Sequence, residues 1–276
     1  MSMRIAFTNL ACPSWSVEQV IAAATRYGYD GIELRLLGGE VIDPIRDREA
    51  VIDAVRHSRA AGIEVCALDT SCRFNQPDPT ERARQTEEAR RWIALANEAR
   101  VGILRVFGGP DTVGVAPDNG AAWVAESLAA LAPDAEAARV QVALETHDAF
   151  SSARRVAAVL ARAPSSAIGA LWDSHHPYRV GERPEEVLDL LGPRLVHAHV
   201  KDARRRTPDA EEWDLVLVGE GEVPVNEMLR VLGRSGYGGW VAVEWEKKWH
   251  PEIEEPEVAL PRHAEWLRAA LAAVPA

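Results

Sequence analysis

Short apolar runs alternate with longer amphipathic stretches along the whole chain. The short runs fall at 4–9, 31–36, 63–68, 102–107, 140–145, 168–173, 195–200 and 240–245, each of strand length and bounded by Gly, Pro or polar residues. Apolar positions at helical spacing predict helices at about 16–27, 47–61, 79–98, 118–138, 151–162, 184–191, 224–235 and 257–273. Ser14, Ser16 (with Gln19 three residues on) and Ser151 are placed to cap helix starts, and Gly28, Gly62 and Gly236 to end helices. Strict alternation of strand and helix predicts a parallel sheet. Eight such units predict closure into an α/β fold of the (β/α)8 TIM barrel type, occupying residues 1–276 as a single domain. The rival is an open, doubly wound sheet. It lacks its fingerprint, because the first strand leads into Asn9-Leu10-Ala11-Cys12-Pro13 rather than a glycine-rich turn.

Acidic and histidine residues cluster at the C-terminal ends of the last four predicted strands. Glu145 closes Val-Ala-Leu-Glu, Asp173 closes Ala-Leu-Trp-Asp, His199 lies in His-Ala-His-Val-Lys-Asp, and Glu244 lies in Val-Ala-Val-Glu-Trp-Glu. Period-2 alternation puts Gln141, Ala143 and Glu145 on one face and Val142 and Leu144 on the other. The same rule groups Trp240, Ala242 and Glu244, and groups His197, His199 and Lys201. The aliphatic faces should meet the helices and the polar faces the barrel interior. A carboxylate pointing inward is costly unless paired or bound to a metal. One acid alone at a strand end is more often a helix cap or a solvated loop residue than a metal ligand. Four at one level on successive strands predict a single divalent ion held by Glu145, Asp173, His199 and Glu244. Three carboxylates and one imidazole suit Mn²⁺, Mg²⁺ or Co²⁺, and Zn²⁺ is also compatible. His197, one layer deeper, reads as a satisfied core histidine.

Composition narrows the partners. A net charge of -11 argues against nucleic acid, which demands a basic footprint. No run approaches about 18 consecutive apolar residues, so no membrane span is expected. Cys12, Cys66 and Cys72 form neither a disulfide framework nor a CxxC site. With no signal-peptide pattern after Met1, this predicts a reduced, cytoplasmic setting. A small-molecule sugar or cyclitol substrate fits these limits.

At the same residues the chain resembles the sugar isomerase/epimerase superfamily of xylose-isomerase-like barrels. The resemblance runs from Gly31-Ile-Glu-Leu-Arg35 through Leu-Glu145, Trp-Asp173-Ser-His-His176, His199-Val-Lys-Asp202 and Val-Glu244-Trp. It implies metal ligation by Glu145, Asp173, His199 and Glu244, with Glu145 and Glu244 also serving as catalytic acid/base groups. It implies substrate contacts for His176 and Arg205, the latter within the run Arg204-Arg205-Arg206. Lys201, with Asp202, matches the His-x-Lys-Asp of the inosose-processing branch, whereas 3-epimerases usually differ after that histidine. The implied activity is isomerisation or epimerisation of a sugar, keto-sugar or inosose through a metal-stabilised enediolate. Loss of a β-hydroxyl on the same site would make a dehydratase or lyase, and a barrel without turnover would be a sugar-binding protein. An endonuclease IV-like site would need histidines on the second and third strands, where this chain offers Glu33 and Asp69. The resemblance also carries an expectation of a homodimer or tetramer.

Residues around the predicted mouth complete the reading. Glu33 is expected to face inward and either bind a substrate hydroxyl or pair with Arg105. Trp15 and Trp172 are either walls for a sugar ring or ordinary packing residues. The segment Glu244-Trp-Glu-Lys-Lys-Trp-His-Pro reads as a mobile cover over the substrate or, alternatively, as a subunit contact.

Overall fold

The computed structural model describes residues 3–207, 210 and 212–274. Eight parallel strands close into a barrel: β1 (Arg4–Thr8), β2 (Gly31–Leu34), β3 (Glu64–Arg73), β4 (Ile103–Phe107), β5 (Gln141–Glu145), β6 (Ile168–Asp173), β7 (Leu195–Val200) and β8 (Trp240–Val243). Strand β1 pairs with both β2 and β8, so no barrel edge is left open. Eight helices follow the strands in turn: α1 (Val17–Tyr27), α2 (Arg48–Ala60), α3 (Pro79–Ala99), α4 (Pro117–Ala138), α5 (Ala153–Arg162), α6 (Pro184–Leu191), α7 (Val225–Arg234) and α8 (Pro256–Ala272). The predicted (β/α)8 order is therefore present. The main departure is β3, which continues past Leu68 to Arg73.

The alternation along each strand sorts the side chains as the pattern requires. Val142, Leu144, Val241 and Val243 join the main core between barrel and helices, while Ala6, Cys66, Trp240 and Ala242 form a separate cluster inside the barrel. Trp240 fills the barrel floor, with the Arg4 guanidinium stacked 3.8 Å from its ring. Gly31 makes room for it: a Cβ there would lie 2.8 Å from the indole and 2.7 Å from the Glu64 carbonyl.

Helix ends follow local chemistry. Ser16 and Gln19 form a reciprocal capping box, and Gly28 ends α1 in the left-handed region at φ 76. Ser151 does not cap α5, contrary to expectation; its hydroxyl donates to the Asp148 carbonyl. The Glu182 carboxylate takes that place, accepting from the amides of Ala153 and Arg154 and from the Ser152 hydroxyl. A full negative charge at a helix N-terminus also complements the dipole.

Three small elements decorate the C-terminal rim: a ribbon of Leu36–Leu37 with Glu40–Val41, a one-turn helix His175–Arg179, and a ribbon of Asp202–Arg205 with Trp213–Val216. Asp202 organises the turn after the second ribbon. Its carboxylate accepts backbone N–H groups from Ala203, Gly219, Gly221 and Val223. Asp202→Ala should lower stability by about 3 kcal/mol, since several buried amides lose a charged acceptor at once. Denaturant titration checks this, and an unchanged midpoint would show that water replaces the carboxylate.

Among the described residues no helix is long and apolar enough to cross a membrane. The three cysteines are free and buried.

Candidate metal centre

The four expected ligands come together at the C-terminal end of β5 to β8. Glu145, Asp173, His199 and Glu244 are each buried, and one ligand atom from each lies within 4.8 Å of the others. They are not at one strand register, as the sequence reading assumed. Glu145 pairs with Leu171, two residues before Asp173, and His199 pairs with Ala242, two residues before Glu244. Asp173 and His199 pair directly. Barrel strands tilt by about 36°, with a shear of about one residue per strand, so ligands must climb along the strands to stay level in space.

Neighbouring side chains aim these groups. The Asp173 Oδ1 accepts the amides of His175 and His176 at 2.7 and 3.1 Å, which leaves Oδ2 turned to the centre. Thr146, next to Glu145, accepts the Asp173 amide through its hydroxyl. The Ser174 hydroxyl bridges the backbone of Lys201, tying the end of β6 to that of β7. The His199 Nδ1 lies 3.3 Å from Glu145 Oε1 and 3.6 Å from Glu244 Oε1.

The donor set fits a divalent cation on two grounds. Both Glu145 oxygens, Asp173 Oδ2 and His199 Nδ1 are buried without a hydrogen-bond partner among the described residues. Unsatisfied groups of this kind are expensive unless something binds them. Charge agrees. Around the centre five buried carboxylates (Glu33, Asp69, Glu145, Asp173 and Glu244) face three fixed cations (Arg35, Arg105 and Lys201). Glu246, 2.6 Å from Lys201, adds a sixth carboxylate, so with the imidazoles neutral an excess of negative charge remains that a bound cation offsets.

The same imbalance sets the proton affinities. Burial, reinforced by Glu244 and Glu145 and opposed by Lys201, pushes the Asp173 carboxyl up to about 6. Burial and the nearby Glu33 push Asp69 up to about 7. Burial would raise Glu145 as well, but the Arg105 guanidinium, 3.4 Å away, holds it below the usual carboxylate range. Burial disfavours the imidazolium of His199, yet Glu33, Glu244 and Glu145 outweigh it and hold that group well above its ordinary value. Lys201 stays charged among Asp173, Glu244 and Glu246 despite burial.

Beside the centre lies an open cavity of about 450 Å³, lined by His147, His175, His176, Lys201, Trp213 and Glu246 among others. Burial keeps His175 and His176 neutral, the former down at about 3. Of the expected substrate contacts, His176 and Lys201 line this cavity. Glu33 does not. It is fully buried beneath the ligands, paired with His197 and His199, while Arg105 pairs with Asp69 and Glu145. Arg205 also departs from expectation: it is exposed and lies 5.0 Å over Trp213, and Arg206 lines the cavity instead. Ribbon strands alternate faces, so one residue's difference reverses the direction. Trp172 joins the main core, on the face opposite Asp173, and is no cavity wall. The segment after Glu244 is tied down. The Lys248 amide donates to the Leu10 carbonyl and its ammonium to the Gly39 carbonyl.

Several lining residues were missed by the sequence reading. Glu246 follows Glu244 by two and shares its side, so the period-2 rule could have found it. His147 follows Glu145 by two, but Asp148 adopts a left-handed conformation at φ 49 and turns the chain there. Trp213 arrives through the ribbon, for which the sequence carries no signal.

A family model described as xylose isomerase-like TIM barrel matches residues 21–270. The chain belongs to that family. Among relatives of this barrel, an inosose dehydratase of Bacillus thuringiensis (strain Al Hakam) is 30% identical over 104 residues, 33% of this chain and 34% of its own length. A fructoselysine 3-epimerase of Escherichia coli O157:H7 is 30% identical over 126 residues, 44% of each chain. These matches span less than half the length of the curated relatives. In structure, the barrel superposes on a zinc-bound IolI protein with a TM-score of 0.82 at 17% identity, covering 98% of each chain. At that identity the likeness concerns the fold.

Proposed function

We propose that this xylose isomerase-like barrel is a divalent-metal-dependent isomerase or epimerase of a sugar, keto-sugar or inosose. The carrying observation is the pair of buried carboxylates, Glu145 and Glu244, flanking His199 Nδ1 beside a polar cavity of sugar size, to which Lys201, in contact with Glu244 and lining that cavity, connects them. Glu145, Asp173, His199 and Glu244 would hold the ion. When bound, it supplies Lewis-acid polarisation of adjacent substrate oxygens, acidifying the neighbouring C–H. Glu145 takes the proton, its charge held ready by Arg105. Glu244, held ionised despite burial by the Lys201 ammonium it touches, would pass a proton from that ammonium to the other face in epimerisation, and return of the proton on Glu145 to the neighbouring carbon gives isomerisation. The neutral imidazole of His176 can donate to or accept from a substrate hydroxyl.

A second reading, dehydration of a keto-polyol, is favoured by Lys201. Its ammonium touches Glu244, stands 3.4 Å from Asp173 and faces the cavity, where it can protonate a departing β-hydroxyl. The inosose dehydratase relatives agree with this reading.

One experiment separates the readings. Metal-loaded protein is incubated with keto-sugars and inososes in deuterated water. Deuterium beside the carbonyl with a new isomer supports the isomerase or epimerase, and loss of one water supports the dehydratase. Binding without exchange or elimination across the panel would leave a sugar-binding barrel.

Metal affinity should rise with pH. Protons compete at Asp173, whose carboxyl titrates at about 6, and at His199, whose value is raised. Each displaced proton contributes about tenfold in affinity per pH unit while its group is protonated. The stability sign runs the other way for the metal-free protein. The raised His199 stabilises the fold below its unfolded value, and that contribution is lost as pH rises through the folded one. Chelator competition on either side of pH 6 checks the slope, and a flat profile would contradict ligation by these groups.

A further inference from the structure

Glu33 is a carboxylate of this region that stays out of the cavity, yet it contacts one of the expected ligands, His199. It projects inward from β2, fully buried. Its oxygens lie 3.2 and 3.3 Å from His199 Nε2, and Oε1 also contacts His197 Nε2. We propose that Glu33 is the positioning residue of the metal centre: it accepts the Nε2–H of His199 and so presents the Nδ1 lone pair to the cation. This rests on the metal-dependent reading above.

The stereochemistry is restrictive. A neutral imidazole has one N–H and one lone pair. His199 has carboxylates on both sides, Glu33 at Nε2 and Glu145 with Glu244 at Nδ1. A cation among Glu145, Asp173 and Glu244 needs the lone pair at Nδ1, so the proton must sit on Nε2, where only Glu33 accepts it. The negative charge behind the ring also makes Nδ1 a stronger donor. His197, two residues earlier on the same face of β7, donates its own Nε2–H to Glu33 and fixes the carboxylate from below. Two N–H groups thus converge on one side chain. A carboxylate can accept both, whereas a glutamine has one acceptor oxygen and must turn its NH₂ toward one of them.

Two other groupings compete for Glu33 as a direct ligand: Glu33 with Asp69 and His199, and Glu33 with Cys66 and His197. Both require Glu33 to give up an imidazole it already holds. The second also requires a thiolate from a cysteine whose Sγ is 3.3 Å from the Ile32 carbonyl, an arrangement that favours the thiol.

The test uses Co²⁺ with the full-length chain, wild type beside Glu33→Gln and Glu33→Ala. Wild type should bind one Co²⁺ per chain. The variants should bind it about 10–100-fold more weakly, at unchanged secondary structure, with an altered visible spectrum. Proton NMR of the wild-type Co²⁺ form should show a hyperfine-shifted, solvent-exchangeable imidazole N–H with slow exchange. In folded Glu33→Gln it should exchange fast or vanish. Equal affinities and spectra in wild type and folded variants would overturn the inference alone. A second Co²⁺ in wild type that Glu33→Gln loses would make Glu33 a ligand and overturn it too. If the variants do not fold, the wild-type resonance decides, and its absence overturns the proposal. Wild type that binds no cation at all brings down the metal-dependent reading and this inference together.

Discussion

His199→Ala should lower the affinity for Mn²⁺, Co²⁺ or Zn²⁺ by roughly a hundredfold to a thousandfold and leave the purified protein without stoichiometric metal. Four-ligand sites bind zinc with about 10–16 kcal/mol, so one ligand carries about 3 kcal/mol. The loss is larger than that of a simple donor here. His199 separates Glu145 from Glu244, with Nδ1 within 3.6 Å of both, and its removal leaves two carboxylates facing each other across an empty space. Glu33 loses one of its two imidazole partners at the same time. Elemental analysis after dialysis against a weak chelator reads the effect. Full metal content in the variant would place the ion elsewhere in the barrel.

Glu145→Gln separates holding the ion from moving the proton. The amide keeps an oxygen in the ligand position and the same shape, so metal should remain, though bound more weakly. It has no basic oxygen with which to take a proton from carbon. Deuterium exchange into substrate should therefore fall by about 10²–10⁴, the usual contribution of a positioned general base. Arg105 also loses its closer charged partner, since it stands 3.4 Å from Glu145 and 3.7 Å from Asp69. Metal content, the thermal midpoint and exchange rate measured on one preparation distinguish the cases. Wild-type exchange in a metal-loaded Glu145→Gln protein would pass the base role to Glu244 or to a cavity imidazole.

The barrel was legible because its signal is repeated. Each strand carries a short apolar run with period-2 sorting, and the structure sorts Val142, Leu144, Val241 and Val243 outward and Trp240 and Ala242 inward, as that period requires. The cluster of candidate ligands was legible for the same reason: Glu145, Asp173, His199 and Glu244 are polar residues on the inward face at the ends of runs that are otherwise apolar. Burying such groups costs too much to occur four times without compensation.

Glu33 shows where this reasoning stops. Its inward direction follows from its strand, but its partner does not. Arg105 and the two histidines of β7 are all inward-facing candidates, and only closure of the barrel brings β7 across to β2 rather than leaving them far apart in the chain. Arg205 and Arg206 show a second limit, because the direction of each is set by a ribbon whose other strand lies beyond a loop. By itself the sequence determined the strand and helix order, the inward face of each strand and the residue types that can bind a cation, all of which follow from local periodicity and desolvation cost. The tertiary structure alone decided the stagger of the four candidate ligands, the pairing of Glu33 with His197 and His199, and the histidine-lined cavity beside them. Those depend on strand tilt, barrel closure and rim ribbons, which arise from contacts between segments distant in the chain.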